Sequence, residues 1–189
     1  MKSTKIIFIL FLMVALAQIA APTKMIYDQE KTIEIGKPYK FLTQPLDPND
    51  PFRGKFVRLN YEIRRFKTQD SIWNRNEEIF VYLKDSLGFA KIETVSKEKL
   101  PIKNDYVKAK AIYYKKYNNT LEFNLPFDRF YMEESKAKPA EDLVRRNRRD
   151  SINLNTTYAL VYVDKGNFVL HNVFINDIPI KDTIKNLNK

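Results

Sequence analysis

Residues 6–17 are apolar without a break, and Lys2 and Lys5 stand just ahead of them. After Gln18 the run resumes with Ile19, Ala20 and Ala21, then stops at Pro22. A core helix carries polar positions at helical spacing; this stretch has almost none. In lipid, backbone groups must bond within their own segment, so the run is expected to be helical. The lysines favour a cytoplasmic N-terminus with the remainder outside. Two fates are open to such a helix. Ala15-Leu16-Ala17 fits a small-x-small cleavage site behind a short apolar core. Retained as an anchor, a run of roughly 16 residues falls just short of the usual ~17–25 for a span. Lys24 and Tyr27 would then sit at the far interface.

Past residue 26 the pattern changes to short alternating runs. Residues 32–35 alternate and end at Gly36, and residues 38–42 start again after it; both read as strands. The loop over 45–54 holds three prolines, Asp47 and Asp50, and closes on Gly54. Alternation over 56–63 predicts a half-buried strand, and 66–76 reads as a polar loop. Residues 78–83 and 89–95 flank a turn at Asp85-Ser86-Leu87-Gly88. Residues 106–114 and 121–125 flank Asn118-Asn119. Residues 158–163 and 168–175 flank Lys165-Gly166-Asn167, a terminal hairpin. One soluble helix is predicted over 139–149, with Glu141 and Asp142 near its start and arginines near its end. The tail after Asp182 is polar and is expected to fray.

These elements predict a mainly β (α+β) fold. It is an antiparallel β-meander or open barrel or sandwich of about eight to ten strands. One short amphipathic helix packs on it, and one N-terminal membrane helix precedes it. Residues 1–26 form the anchor or signal segment, 27–182 an extracytoplasmic β-rich domain, and 183–189 the tail.

The absence of cysteine excludes thiol catalysis and thiolate metal sites, and the single histidine, His171, excludes multi-histidine centres. No metal and no cofactor is expected. A histidine-based triad is disfavoured, because a lone histidine in an alternating strand is usually structural. No glycine-rich phosphate loop and no nucleophile elbow occurs. The formal net charge of +10 suits an anionic lipid surface or an acidic protein. Export argues against nucleic acid. Asp47, Asp50, Arg53 and Gly54 read either as a binding site or as a turn whose aspartates cap their own amides. Glu133, beside Glu134, does acid–base work only where paired carboxylates share one cleft. Arg145, Arg146, Arg148 and Arg149 read either as a contact for an anionic partner or as a solvated helix face balanced by Glu141 and Asp142.

Arg53-Gly54-Lys55-Phe56-Val57-Arg58-Leu59-Asn60-Tyr61 resembles the signature of the GDYXXLXY family of bacterial membrane-anchored proteins. Gly54, Leu59 and Tyr61 match; Lys55 stands where the family has aspartate, and Phe56 where it has tyrosine. Pro45-Leu46-Asp47-Pro48 is similar to the family's lead-in. Arg129-Phe130-Tyr131-Met132-Glu133-Glu134 is similar to its second block, and the closing hairpin fits too. The resemblance implies a retained anchor in the inner (cytoplasmic) membrane and a periplasmic domain associated with a multi-pass membrane protein. It supplies no activity. It points to Asp47, Asp50, Arg53, Gly54, Leu59 and Tyr61 as a binding region, with Tyr131 and Glu133 as a second block. The motif's own logic is a tight turn at Gly54, then a strand with Leu59 and Tyr61 on one face. The expectation is a non-enzymatic accessory or binding domain. The alternatives are a hydrolase or protease-like β domain using carboxylates or a Ser–Lys pair, and a secreted or periplasmic soluble binding protein cut after Ala17. The sequence sets no oligomeric state.

Overall fold

The N-terminal helix does not end at Pro22. In the computed structural model, which describes residues 2–44, 56–70, 72–131 and 156–187, a single helix α1 spans Lys2–Ile35. Pro22 removes one hydrogen bond from its interior. The next turn is held by the Thr23 hydroxyl, which donates to the Ile19 carbonyl at 2.9 Å. The Lys24–Asp28 pair at 2.6 Å follows one turn on. Residues 32–35, expected as a strand, are therefore the last turn of α1. Their alternation is overridden because Thr32 is buried and donates to the Asp28 carbonyl at 2.8 Å.

From Lys5 onward α1 is long and apolar enough to cross a membrane. Its apolar side chains stay exposed, from Ile6 at 59% to Ile19 at 67% and Tyr27 at 65%. At 1.5 Å per residue the whole helix is about 50 Å long, well over the ~30 Å of a hydrocarbon core. Its last turn packs on two strands of the domain, β10 (Thr157–Asp164) and β11 (Asn167–Ile175). Gly36 ends the helix by donating its N–H to the Thr32 carbonyl at 3.0 Å. A Cβ there would run into the Thr32 carbonyl and lie 3.2 Å from that of Val163, so the corner needs glycine.

The chain then enters β1 (Lys37–Gln44) with no linker. Between β1 and β10 come β2 (Phe56–Arg58), β3 (Asn60–Tyr61), β4 (Arg65–Lys67), β5 (Glu78–Ser86), β6 (Phe89–Ser96), β7 (Tyr106–Lys115), β8 (Thr120–Asn124) and β9 (Arg129–Tyr131). After β11 come β12 (Ile178–Pro179) and a helix α2 (Ile180–Leu187). That makes twelve strands among the described residues, more than the eight to ten expected. The run over 56–63 is split in two, and β4 lies partly within the stretch read as loop. The tail expected to fray from residue 183 begins as α2, whose first residue, Ile180, is fully buried.

The fold is mostly β, as the alternating runs implied. One sheet has the order β12-β11-β10-β1-β3 and the other β4-β8-β7-β5-β6, with β2-β9 as a separate ribbon. All named pairings are antiparallel. Tyr39, Phe41, Val161 and Val163 from the first sheet and Ile79, Val81, Val107, Leu121 and Phe123 from the second share one buried core. Two-residue turns with both φ positive join β5 to β6, β10 to β11 and β11 to β12. That geometry follows the right-handed twist of the strands it connects. At the second of these, Gly166 (φ 96°) bridges to Val107 on β7, and a Cβ would press on the Tyr106 ring at 2.8 Å. The loop 45–54 and the predicted helix 139–149 lie outside the described residues.

Gly36→Ala is expected to lower stability by about 2 kcal/mol or more, because backbone rather than a flexible side chain must yield. Thermal unfolding of the detergent-solubilised chain measures it.

Candidate functional site

Two short pairings share one register. β4 and β8 set Arg65 opposite Glu122; seven residues back on one strand and seven forward on the other, Arg58 faces Arg129 in β2 and β9. The stretches 56–67 and 120–131 thus form one antiparallel ladder that opens in its middle. Its flanking bonds are Leu59 N–H to the Asp128 carbonyl at 2.7 Å and Phe123 N–H to the Arg64 carbonyl at 3.0 Å. Between them, residues 60–63 and 124–127 part.

The sequence supplies two causes. Pro126 has no N–H to give to a ladder. On the other side β3 is drawn to β1, with Thr43 opposite Tyr61, Gln44 opposite Asn60, and Glu62 N–H donating to the Leu42 carbonyl at 3.1 Å. One short stretch of chain therefore pairs in turn with β9, β1 and β8.

The opening is a cleft of about 350 Å³. Leu59, Tyr61, Phe123 and Leu125 are its buried lining. Tyr61 spans the gap: its hydroxyl donates to the Phe127 carbonyl at 2.8 Å. Its ring meets Phe127 edge-on at 5.2 Å and Phe41 at 5.8 Å, and Phe127 reaches Phe168 at 5.3 Å. Burial first, then the nearby Asp128 carboxylate, push the Tyr61 phenol far above its ordinary value, so it stays a donor.

Arg58, Asn60, Arg64, Asn124 and Asp128 are the polar lining. Arg58 lies 3.5 Å from Asp128, and Arg129 lies 3.9 Å from the same carboxylate. Arg64 donates to the Asn60 side-chain oxygen at 2.6 Å and lies 3.8 Å from Glu122. Glu122 is buried, yet Arg65 reaches it at 3.3 Å and the Tyr113 hydroxyl donates to it at 2.6 Å. Burial raises its pKa, but the Tyr113 hydrogen bond and the two arginines outweigh that and hold the carboxyl below its ordinary value. The arrangement fixes the Arg64 guanidinium beside an amide and a carboxylate at the cleft. It can hold a polar or carboxylate-bearing segment over an apolar base.

Of the residues singled out from sequence, Leu59 and Tyr61 come together here as the buried lining of the cleft. Tyr131 sits exposed at the end of β9, opposite Phe56. Asp47, Asp50, Arg53, Gly54, Glu133, Arg145, Arg146, Arg148 and Arg149 lie outside the described residues. Arg58, Asn60, Arg64, Asn124, Asp128 and Glu122 were not anticipated. The available signal was Pro126, which interrupts the otherwise strand-like run 121–127. His171 stands exposed on β11, with its ring edge-on to Tyr162 at 5.5 Å.

Helix, sheets and cleft together define an antiparallel β domain mounted directly on an apolar N-terminal helix, with a cleft built on a Leu-x-Tyr strand. The sequence model described as GDYXXLXY protein matches residues 18–173. The chain belongs to that family. The match starts inside α1 and ends in β11, so it takes in the second half of the helix and the whole parted ladder. No curated protein and no solved structure matches the chain.

Tyr61→Phe is expected to leave the Phe127 carbonyl without its donor and to cost about 1–2 kcal/mol. Leu59→Ala is expected to cost about 3 kcal/mol as a core truncation. Chemical denaturation measures both. Glu122 has a depressed pKa in the folded chain, so its contribution is present above the unfolded value near ~4.3 and is lost as pH falls through the folded value. Glu122→Gln is expected to lower stability at neutral pH by about 1–2 kcal/mol. It is also expected to flatten the loss of stability on acidification, followed by urea midpoints across that range.

Proposed function

We propose that this protein is a non-enzymatic accessory domain, anchored by α1 in the cytoplasmic membrane and facing the extracytoplasmic side. It docks there on a multi-pass membrane protein, and the cleft at the parted ladder is the docking site. The observation that carries the reading is α1 itself. It keeps its apolar side chains exposed over the first two-thirds of its length and passes into β1 without a linker. A helix built into the domain fold at one end and apolar all round at the other suits retention better than removal. Lys2 and Lys5 favour an inside N-terminus. The cleft supports the docking role because the family's Leu-x-Tyr pair lines it while Arg58, Asn60 and Arg64 offer polar recognition around it.

Membrane fractionation with mass spectrometry of the N-terminus tests the anchor. An intact helix in the membrane fraction is expected. A soluble chain starting at Gln18 would refute the anchor and restore the reading as a secreted binding protein. Arg64→Ala with Asn60→Ala is expected to remove a co-purifying multi-pass protein while α1 stays in the membrane. Retention of that partner by the double variant would move the docking site elsewhere.

A further inference from the structure

The outer face of the sheet β4-β8-β7-β5-β6 gathers cations. Strand alternation assigns that face: Val107, Ala109, Ala111, Leu121 and Phe123 are buried on the inner side, so their neighbours point outward. Outward on β4 are Arg65 and Lys67; outward on β7 are Lys108 and Lys110. A bulge between Ala111 and Tyr113 keeps Tyr113 and Lys115 on the same side. Lys67 and Lys115 both stand opposite Thr120, one from each flanking strand. Lys110 stands between Asn124 and Glu78, and Lys108 beside Phe80.

Across β4, β8, β7 and the facing end of β5, five cations thus share this face with two carboxylates; toward β6 it adds Lys84 and Lys91 with Glu93, which Lys84 holds at 2.7 Å. Glu122 is buried beneath Arg64, Arg65 and Tyr113 and offers nothing outward. Glu78 is taken by Lys108 at 2.8 Å. A sheet face serving stability alone sets opposite charges across strands; here the positive charge is in excess. Two of the ammonium groups lie over rings, Lys108 Nζ 5.7 Å from the Phe80 centroid and Lys115 Nζ 5.2 Å from that of Tyr113. Such cation–π contacts favour placing these two charges close over the sheet.

α1 packs on β10 and β11, which belong to the other sheet. The cationic face therefore belongs to the sheet that α1 does not pack against; a protein surface is taken as its counterpart, and the lipid alternative is decided by the test. We propose that this face docks a carboxylate-rich surface of a partner protein. The partner's presence rests on the accessory-domain reading; the chemistry of the face is tested without it.

The test uses the full chain in nanodiscs of zwitterionic lipid, with fluorescent poly-L-glutamate as probe and polarisation as readout. A face variant carries K67Q, K110Q and K115Q; a control of equal net charge carries K31Q, K37Q and K165Q. The face variant is expected to bind about tenfold more weakly, with the control within about twofold of the parent. Equal weakening in both variants would reduce the effect to net charge and overturn the proposal, as would no weakening in either. In a second arm, phosphatidylglycerol vesicles replace poly-L-glutamate. Vesicle binding that is lost in the face variant while poly-L-glutamate binding is kept would make this a lipid-docking face and also overturn it. A failure of the anchor or of co-purification leaves these titrations unchanged, so the two readings fail separately.

Discussion

The chain passes from one sheet to the other at Tyr61, whose hydroxyl donates to the Phe127 carbonyl across the parted ladder. β3 belongs to the first sheet and β4 to the second, so the chain between them must leave one ladder and join another within a few residues. Leaving a ladder orphans main-chain groups, and a buried carbonyl without a donor is costly. Tyr61 answers that from its side chain, while its ring joins Phe41, Phe127 and Phe168 in the core. A phenylalanine could supply the packing but not the donor. Leu59 does the complementary job one step earlier: its N–H makes the last ladder bond to Asp128 as its side chain is buried. The two family positions are thus the two ends of one act, closing a ladder and bridging the gap that follows.

The electrostatics around the opening follow from the same event. Where a ladder parts, side chains that would stand across from each other are free to reach sideways. Arg64 turns to Asn60 and Glu122, and Arg58 turns to Asp128. Glu122 can be buried only because Tyr113 and two arginines converge on it. Removing one partner of such a set leaves the others paired with less, so effects at these positions are expected to be non-additive.

Much of the β architecture was legible in the sequence. The strands β5, β6, β7, β8, β10 and β11 show in the sequence as short runs, alternating in β7 and continuously apolar in β5 and β10, and turn residues such as Leu87-Gly88 and Lys165-Gly166 mark their hairpins. Two errors had a common source, which is that local pattern yields to long-range contact. Residues 32–35 alternate like a strand but are helical, because Thr32 is buried against the domain and caps back onto Asp28. The alternating run 56–63 looks like one strand but serves three partners, because pairing is set by where β1, β8 and β9 lie and no single stretch encodes that. The cleft was illegible for the same reason. It exists only as a shared register between two distant segments, and its sole local trace is Pro126. The cationic face was legible as net charge but not as a surface, since it takes a bulge in β7 to bring Lys115 beside Lys110 and Lys108.

The corner at Gly36 has a mechanical consequence. Because α1 runs into β1 without a flexible joint, and glycine is needed where the helix meets Val163, helix and sheet move as one lever. With α1 set in a bilayer, a change in its tilt of about 20° would carry a point ~30 Å from the pivot through ~10 Å. Bilayer thickness, or a neighbouring helix that alters the tilt, would thereby set how high above the membrane the cleft is carried.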